Sequence, residues 1–276
     1  MLPNFLIIGA PRSGTTWMEK NLRQHPDVFL PKTKELHFFD QNYNLGIAHY
    51  ESYFQGAESK TAVGEATPDY LHGAYSTNDI PRLIHRHLPD VKLIVSLRNP
   101  IQRAYSRYWN SKALYAHNRR LTFEEKLQDR PEFVAEGMYW DHLNRYLAVF
   151  PRDQILILFF DDLVSDPRGF LQRVYTFLNV DPKVQTGWES VRVNQATGRG
   201  NLARSRFFVF NLARVLTRMR MHGLAQRFRD WNSLDQPAMA VDTWRSLRKI
   251  YFEQNRKLEE FTGRDLSHWD RYESLL

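Results

Sequence analysis

Cysteine is missing from all 276 residues of this chain. Its absence excludes disulfides, thiolate metal sites and cysteine nucleophiles, and it points to a reducing compartment, the cytoplasm, as the expected location. Long apolar runs are missing as well. No stretch reaches the roughly 18 consecutive apolar residues that a membrane-spanning helix needs. Glycine and proline are modest at 13 each, which excludes collagen-like and low-complexity classes. The opening residues Met1 to Asn4 lack the basic stretch of a signal peptide and run straight into a strand-like segment, so no signal peptide is expected. Between residues 190 and 229 there is no Asp, Glu or Lys, yet there are nine Arg. The chain carries +7 overall, so the remainder sums to 7 − 9 = −2. One segment therefore holds the whole excess, and its field attracts phosphate, sulfate, carboxylate or an anionic membrane surface.

What is present is ordinary for a soluble domain, with 42% hydrophobic and 25% charged residues. Phe5–Ile8, Leu93–Leu97 and Ile155–Phe160 are apolar, β-branched runs typical of buried parallel strands, and Ala62–Glu65 is a weaker one. Helical patterns cover Thr15–Gln24, Ile80–His87, Pro100–Tyr115, Phe133–Phe150 and Pro167–Leu178. Strand and helix alternate, which predicts an α/β fold in three layers: a mostly parallel central sheet flanked by helices. The chain reads as a single domain over 1–276. Its C-terminal part, about 200–276, is a helical, Arg-rich extension with a long helix from Pro237 to Phe261. Within it, Phe207, Phe208, Phe210, Leu212, Val215, Leu216 and Met219 form an apolar stripe among the arginines. A basic helix of this kind over 203–229 either packs on the core or makes peripheral contact with a membrane. No zinc-finger, basic-zipper or RNA-recognition signature accompanies it, so a nucleic-acid partner is not expected.

The first strand runs into Gly9-Ala10-Pro11-Arg12-Ser13-Gly14-Thr15-Thr16-Trp17, and a helix follows. A glycine-bearing loop at a helix N-terminus offers backbone N–H groups and the positive end of a dipole to a phosphate. Gly9 and Gly14 have the spacing of the nucleoside-triphosphatase loop G-x-x-x-x-G-K-[ST], but Thr15 stands where the lysine belongs. The cation here is Arg12, which suits one phosphate and its neighbour better than a magnesium triphosphate. The nearest candidates for a metal-binding acid after a strand are Asp161 and Asp162. A second motif, Leu97-Arg98-Asn99-Pro100 through Ser106, closes another strand. Asn99 is a good N-cap and Pro100 a good first helical residue. Arg98 then stands at the carboxyl edge of the sheet, where open α/β sheets bind ligands, and Ser106 lies two turns further on. The pair could hold another phosphate. From the residues alone, a degenerate nucleotide kinase or triphosphatase and a non-catalytic anionic-membrane module stay open.

Together these two motifs resemble the sulfotransferases that use 3′-phosphoadenosine-5′-phosphosulfate (PAPS). The rest is similar to the heparan sulfate type and its bacterial relatives over roughly residues 4–180. The matching stretches include His25-Pro26-Asp27, Lys34-Glu35-Leu36-His37-Phe38-Phe39-Asp40, Gly64-Glu65-Ala66-Thr67-Pro68-Asp69-Tyr70-Leu71, Phe150-Pro151 and Asp166-Pro167. The resemblance implies a P-loop-like fold and PAPS as the donor, released as 3′-phosphoadenosine-5′-phosphate (PAP), with no metal required. It implies a glycan, lipid or small-molecule acceptor that receives the sulfuryl group on a hydroxyl or amine. It assigns the donor's 5′ end to Arg12, Ser13, Gly14, Thr15, Thr16 and Trp17, its 3′-phosphate to Arg98 and Ser106, and a late contact to Arg199. Glu35 is implied as general base with Arg12 as the leaving-group cation, and His37 either orients Glu35 or is itself the base. His37, Asp40 and Glu65 are implied on the acceptor side. In an extended segment Glu35 and His37 would project to one face. The pattern departs at Ala66, often lysine in the family, and at Thr197-Gly198-Arg199, where Lys-Gly-Arg and a disulfide are usual.

Overall fold

The computed structural model describes residues 1–74, 76–114, 121–187 and 239–272. Among them five strands form one sheet: β1 (Phe5–Gly9), β2 (Val28–Phe29), β3 (Ala62–Ala66), β4 (Lys92–Leu97) and β5 (Ile155–Phe159). Their order is β2-β3-β1-β4-β5, and every pairing is parallel. The α/β three-layer architecture expected from the sequence is therefore present. β1 is apolar without alternation because both of its faces are covered. Leu6 and Ile8 point into a layer with Phe38, Phe39, Tyr50, Tyr70 and Leu143. Phe5 and Ile7 point into the opposite layer with Trp17, Met18, Phe170 and Val174. Gly64 of β3 is required by close approach, since a Cβ there would lie 2.5 Å from the Phe5 carbonyl oxygen.

The helices are α1 (Thr15–Leu22), α2 (Ile47–Ser52), α3 (Ile80–His87), α4 (Pro100–Leu114), α5 (Phe123–Asp129), α6 (Glu132–Ala135), α7 (Tyr139–Leu147), α8 (Phe160–Ser165), α9 (Pro167–Leu178) and α10 (Val241–Thr262). Two boundaries come out as the pattern predicts, α3 and α9. α9 is capped by the Asp166 carboxylate, which accepts from the Gly169 amide at 2.9 Å. The single helix expected over Phe133–Phe150 is instead two, α6 and α7. The break falls at Gly137, where a Cβ would meet the Tyr251 ring of α10 at 2.7 Å. Tyr251 also donates to the Val134 carbonyl at 2.9 Å, so the packing of α10 decides the interruption. α5, which the periodicity passes over, opens with a capping box between Thr122 and Glu125.

β1 lies at the centre of the sheet. From it the chain builds β2 and β3 on one side, then crosses to β4 and β5 on the other. The carboxyl ends of β1 and β4 thus flank a topological switch point, the crevice where open α/β sheets take ligands. The loop with Arg12 leaves β1 there and Arg98 leaves β4 there.

Candidate active site

The loop after β1 is held from below by β4. The Ala10 amide donates to the Ser96 carbonyl at 2.8 Å, and the Ser96 hydroxyl donates to the Ser13 carbonyl at 2.7 Å. Gly14 caps α1 in the left-handed region (φ 87°) with no side chain capping it. That backbone conformation favours glycine, and a Cβ there would also press on the Leu163 side chain at 2.4 Å. The first intrahelical bond runs from the Met18 amide to the Gly14 carbonyl, so the amides of Thr15, Thr16 and Trp17 are available to an anion. Ser13 and Thr15 are buried, and Thr16 is half-buried. The Trp17 ring is turned into the core, edge-on to Phe170 at 6.1 Å between centroids. Its backbone is what it presents to the loop.

The cations converge differently from the expectation of Arg98 paired with Ser106. It is Arg12 that reaches Ser106, through Nε to Oγ at 3.2 Å, and it continues to Asn110 Oδ1 through Nη1 at 3.3 Å. The two motifs therefore meet in one crevice, with Arg12 spanning both strand ends. The reason is reach: β1 and β4 are adjacent, and a guanidinium is long enough to cross between them. Burial, then Arg98, then Arg107, pull Arg12 down to about 10. Both of its partners above are neutral, so its charge is uncompensated by them. Arg98 lies 4.7 Å from the Phe160 ring centroid and donates to Gln102 Oε1 at 3.2 Å, and burial draws it below the usual guanidinium range. Asn99 caps α4 as expected, accepting from the Ile101 amide at 2.9 Å, and it also donates to the Trp269 carbonyl at 2.9 Å. Beneath, Arg103 and Glu136 form a fully buried ion pair that anchors α4. Asn110 and Ser96 carry this wall, but the sequence alone holds no motif for either.

The opposite wall is the loop 34–40. The extended conformation expected for Glu35 and His37 is overturned, because both residues have left-handed backbones (φ 59° and 51°). The loop is hooked onto the end of β3, with the Glu35 amide on the Ala66 carbonyl at 3.2 Å and the His37 amide on Thr67 Oγ1 at 3.4 Å. Phe38 and Phe39 anchor it in the core, Phe38 stacking on Tyr50 at 4.4 Å. The Glu35 carboxylate accepts from Lys34 Nζ at 2.8 Å, and the same ammonium donates to Thr16 Oγ1 at 2.9 Å. His37 Nδ1 meets Asp40 Oδ2 at 2.8 Å, and that bond raises the His37 pKa above its ordinary value. Glu65, expected on the acceptor side, is buried instead. Its carboxyl accepts from Thr67 at 2.7 Å and Tyr50 at 3.2 Å, and burial pushes it up to about 7. It therefore acts on the loop from behind, through Thr67, because β3 turns it toward the core.

Asp161 and Asp162 are occupied elsewhere. Asp162 pairs with Arg173 at 2.9 Å and with Arg264 at 2.5 Å, and Asp161 accepts from Trp269 Nε1 at 3.1 Å. These acids tie the C-terminal segment to the first turn of α8, which removes the support for a triphosphatase acid. Arg199 and the basic segment 203–229 lie outside the described residues.

A family model described as a sulfotransferase domain matches residues 2–262. The chain is 30% identical over 279 residues to the mouse heparan sulfate glucosamine 3-O-sulfotransferase 3B1, covering 98% of this chain and 65% of that protein. It is 36% identical over 184 residues to the human heparan sulfate glucosamine 3-O-sulfotransferase 6, covering 64% of this chain and 52% of that one. The chain thus spans less than two thirds of the length of these relatives. Among solved structures, a sulfotransferase from Alicyclobacillus acidocaldarius superposes with a TM-score of 0.70 at 25% identity, covering 98% of this chain and 100% of that one.

Proposed function

This chain belongs to the sulfotransferase domain family, and from that premise we propose that it transfers the sulfuryl group of PAPS to a hydroxyl of a glycan acceptor. The observation that carries the reading is Arg12: a half-buried guanidinium beside Arg98 and Arg107, bonded to Ser106 and Asn110, at the mouth of a phosphate loop. Such a group gains most when an anion enters. The donor fits these residues because its two phosphate ends need cations and amides, which the ends of β1 and β4 supply side by side. When bound, PAPS supplies the activated sulfuryl group.

The reaction is an in-line displacement, close in character to phosphoryl transfer. The acceptor O–H proton passes to the Glu35 carboxylate as the acceptor oxygen bonds to sulfur. The bond from sulfur to the 5′-phosphate oxygen breaks, and its electron pair stays on that oxygen. Arg12 and the amides of Thr15 and Thr16 stabilise the charge that develops there. His37, held by Asp40, orients the loop that carries Glu35. The products are a sulfate ester and PAP.

The named relatives support a glucosamine-containing acceptor. A cysteine-free composition supports a cytoplasmic location. The nine Arg between 190 and 229 support an anionic partner, an acidic glycan or a membrane surface. A calorimetric titration with PAP tests the donor, and submicromolar to micromolar binding without metal is expected. Incubation of an acceptor panel with labelled PAPS, read by mass spectrometry, tests the acceptor. Protection by ATP and magnesium in place of PAP would overturn the reading.

A further inference from the structure

The phosphate loop has Thr15 where related nucleotide loops carry their lysine. The structure brings an ammonium to the neighbouring position from another part of the chain. Lys34 Nζ lies 2.9 Å from Thr16 Oγ1, in the first turn of α1, and 2.8 Å from Glu35 Oε1. This approach is built in. Arg23, paired with Glu19 on α1, donates to the carbonyls of Leu30 at 3.0 Å and Pro31 at 2.8 Å. It thereby folds the chain after β2 back onto the helix that opens at the loop. The left-handed backbone of Glu35 then turns its carboxylate onto the ammonium of its own neighbour. Lys34 is only 27% exposed, whereas Glu35 is 43% exposed and open to an incoming acceptor.

We propose that Lys34 serves as the lysine the phosphate loop lacks, facing the sulfuryl end of the donor while it positions Glu35 against that end. The proposal rests on the sulfotransferase reading and refines it. A base must sit beside the atom that is attacked, and Lys34 is the group that joins the base to the helix end where the donor's 5′ side binds. As a positioning residue it makes two demands at once. It presents a charge-assisted donor to the sulfuryl oxygens, and it keeps the Glu35 carboxylate from swinging into solvent.

The test is a pair of titrations with the full chain, PAPS against PAP, which differ only in the sulfuryl group. Lys34→Met is expected to weaken PAPS by about 10- to 100-fold, the value of one charge-assisted bond, and PAP by less than about threefold. Lys34→Arg is expected to recover part of the PAPS preference, and Lys34→Gln to behave as Lys34→Met does. Equal losses for the two nucleotides, no loss, or a larger loss for PAP would overturn the assignment. Wild-type protein that binds neither nucleotide would overturn the sulfotransferase reading itself, and that result is seen before any variant is made.

Discussion

The two walls of the crevice differ in how their charges are satisfied. On the β1–β4 wall, Arg12 donates to neutral oxygens of Ser106 and Asn110, and Arg98 donates to a neutral amide oxygen and covers an aromatic ring. On the β3 wall the ionisable groups have polar partners: Lys34 with Glu35, His37 with Asp40, Glu65 with Thr67 and Tyr50. The first wall keeps positive charge in reserve for a ligand. The second uses its bonds to set where protons reside and where one carboxylate points. Binding and proton transfer are thus separated in space, and they can be separated by mutation.

The sharpest break is at Glu35. Glu35→Gln is expected to lower turnover by about 1000-fold, within the usual range for a general base, while PAP affinity stays within about threefold. Stopped-time assays and calorimetry read the two quantities. A variant that turns over at the wild-type rate would hand the role to His37. The mirror experiment is on the other wall. Arg98→Ala is expected to cost about 10- to 100-fold in PAP affinity and clearly less for adenosine 5′-phosphate, which lacks the 3′-phosphate. Equal losses for the two ligands would leave Arg98 without a 3′-phosphate contact.

The next effect is on stability. The Glu65 carboxyl is held at about 7 in the fold by burial, above its ordinary value, so folding favours the protonated form. That contribution is complete below about pH 4.5 and is lost as pH rises through 7. The loss approaches about 3 kcal/mol, from about 2.5 pH units at 1.36 kcal/mol each. Glu65→Gln should flatten the fall in the urea midpoint between pH 5 and pH 8.5, and an unchanged slope would show that another group titrates. The smallest effect is at Asp40. Asp40→Asn should move the His37 ring titration, followed by NMR, down toward its ordinary value, because the bond to Asp40 is what raises it. In the wild type the pair stabilises the fold at low pH, and the benefit fades as pH rises past the His37 midpoint.

Much of the frame could be read from residue order. The apolar runs at 5–8, 93–97 and 155–160 are strands within one residue, and Pro81 and Pro167 open helices with the predicted limits. Asn99 caps α4 as its type suggests. β2 was invisible because two residues carry no period, and α8 because it follows β5 without a turn. The site divides in the same way. Arg12, Arg98 and Ser106 stand out by spacing, whereas Asn110, Ser96 and Lys34 do not.

The amino-acid sequence by itself determined the elements and the class of ligand, since periodicity sets strand and helix, and a glycine loop at a helix end sets an affinity for phosphate. The tertiary structure alone decided which charges meet. Arg12 finds Ser106 across 94 residues, and Lys34 turns back to Thr16 across 18, because parallel strand order and a left-handed turn bring them within bonding distance. Neither distance follows from local pattern, for hydrogen bonds act over a few ångströms and depend on neighbours in space.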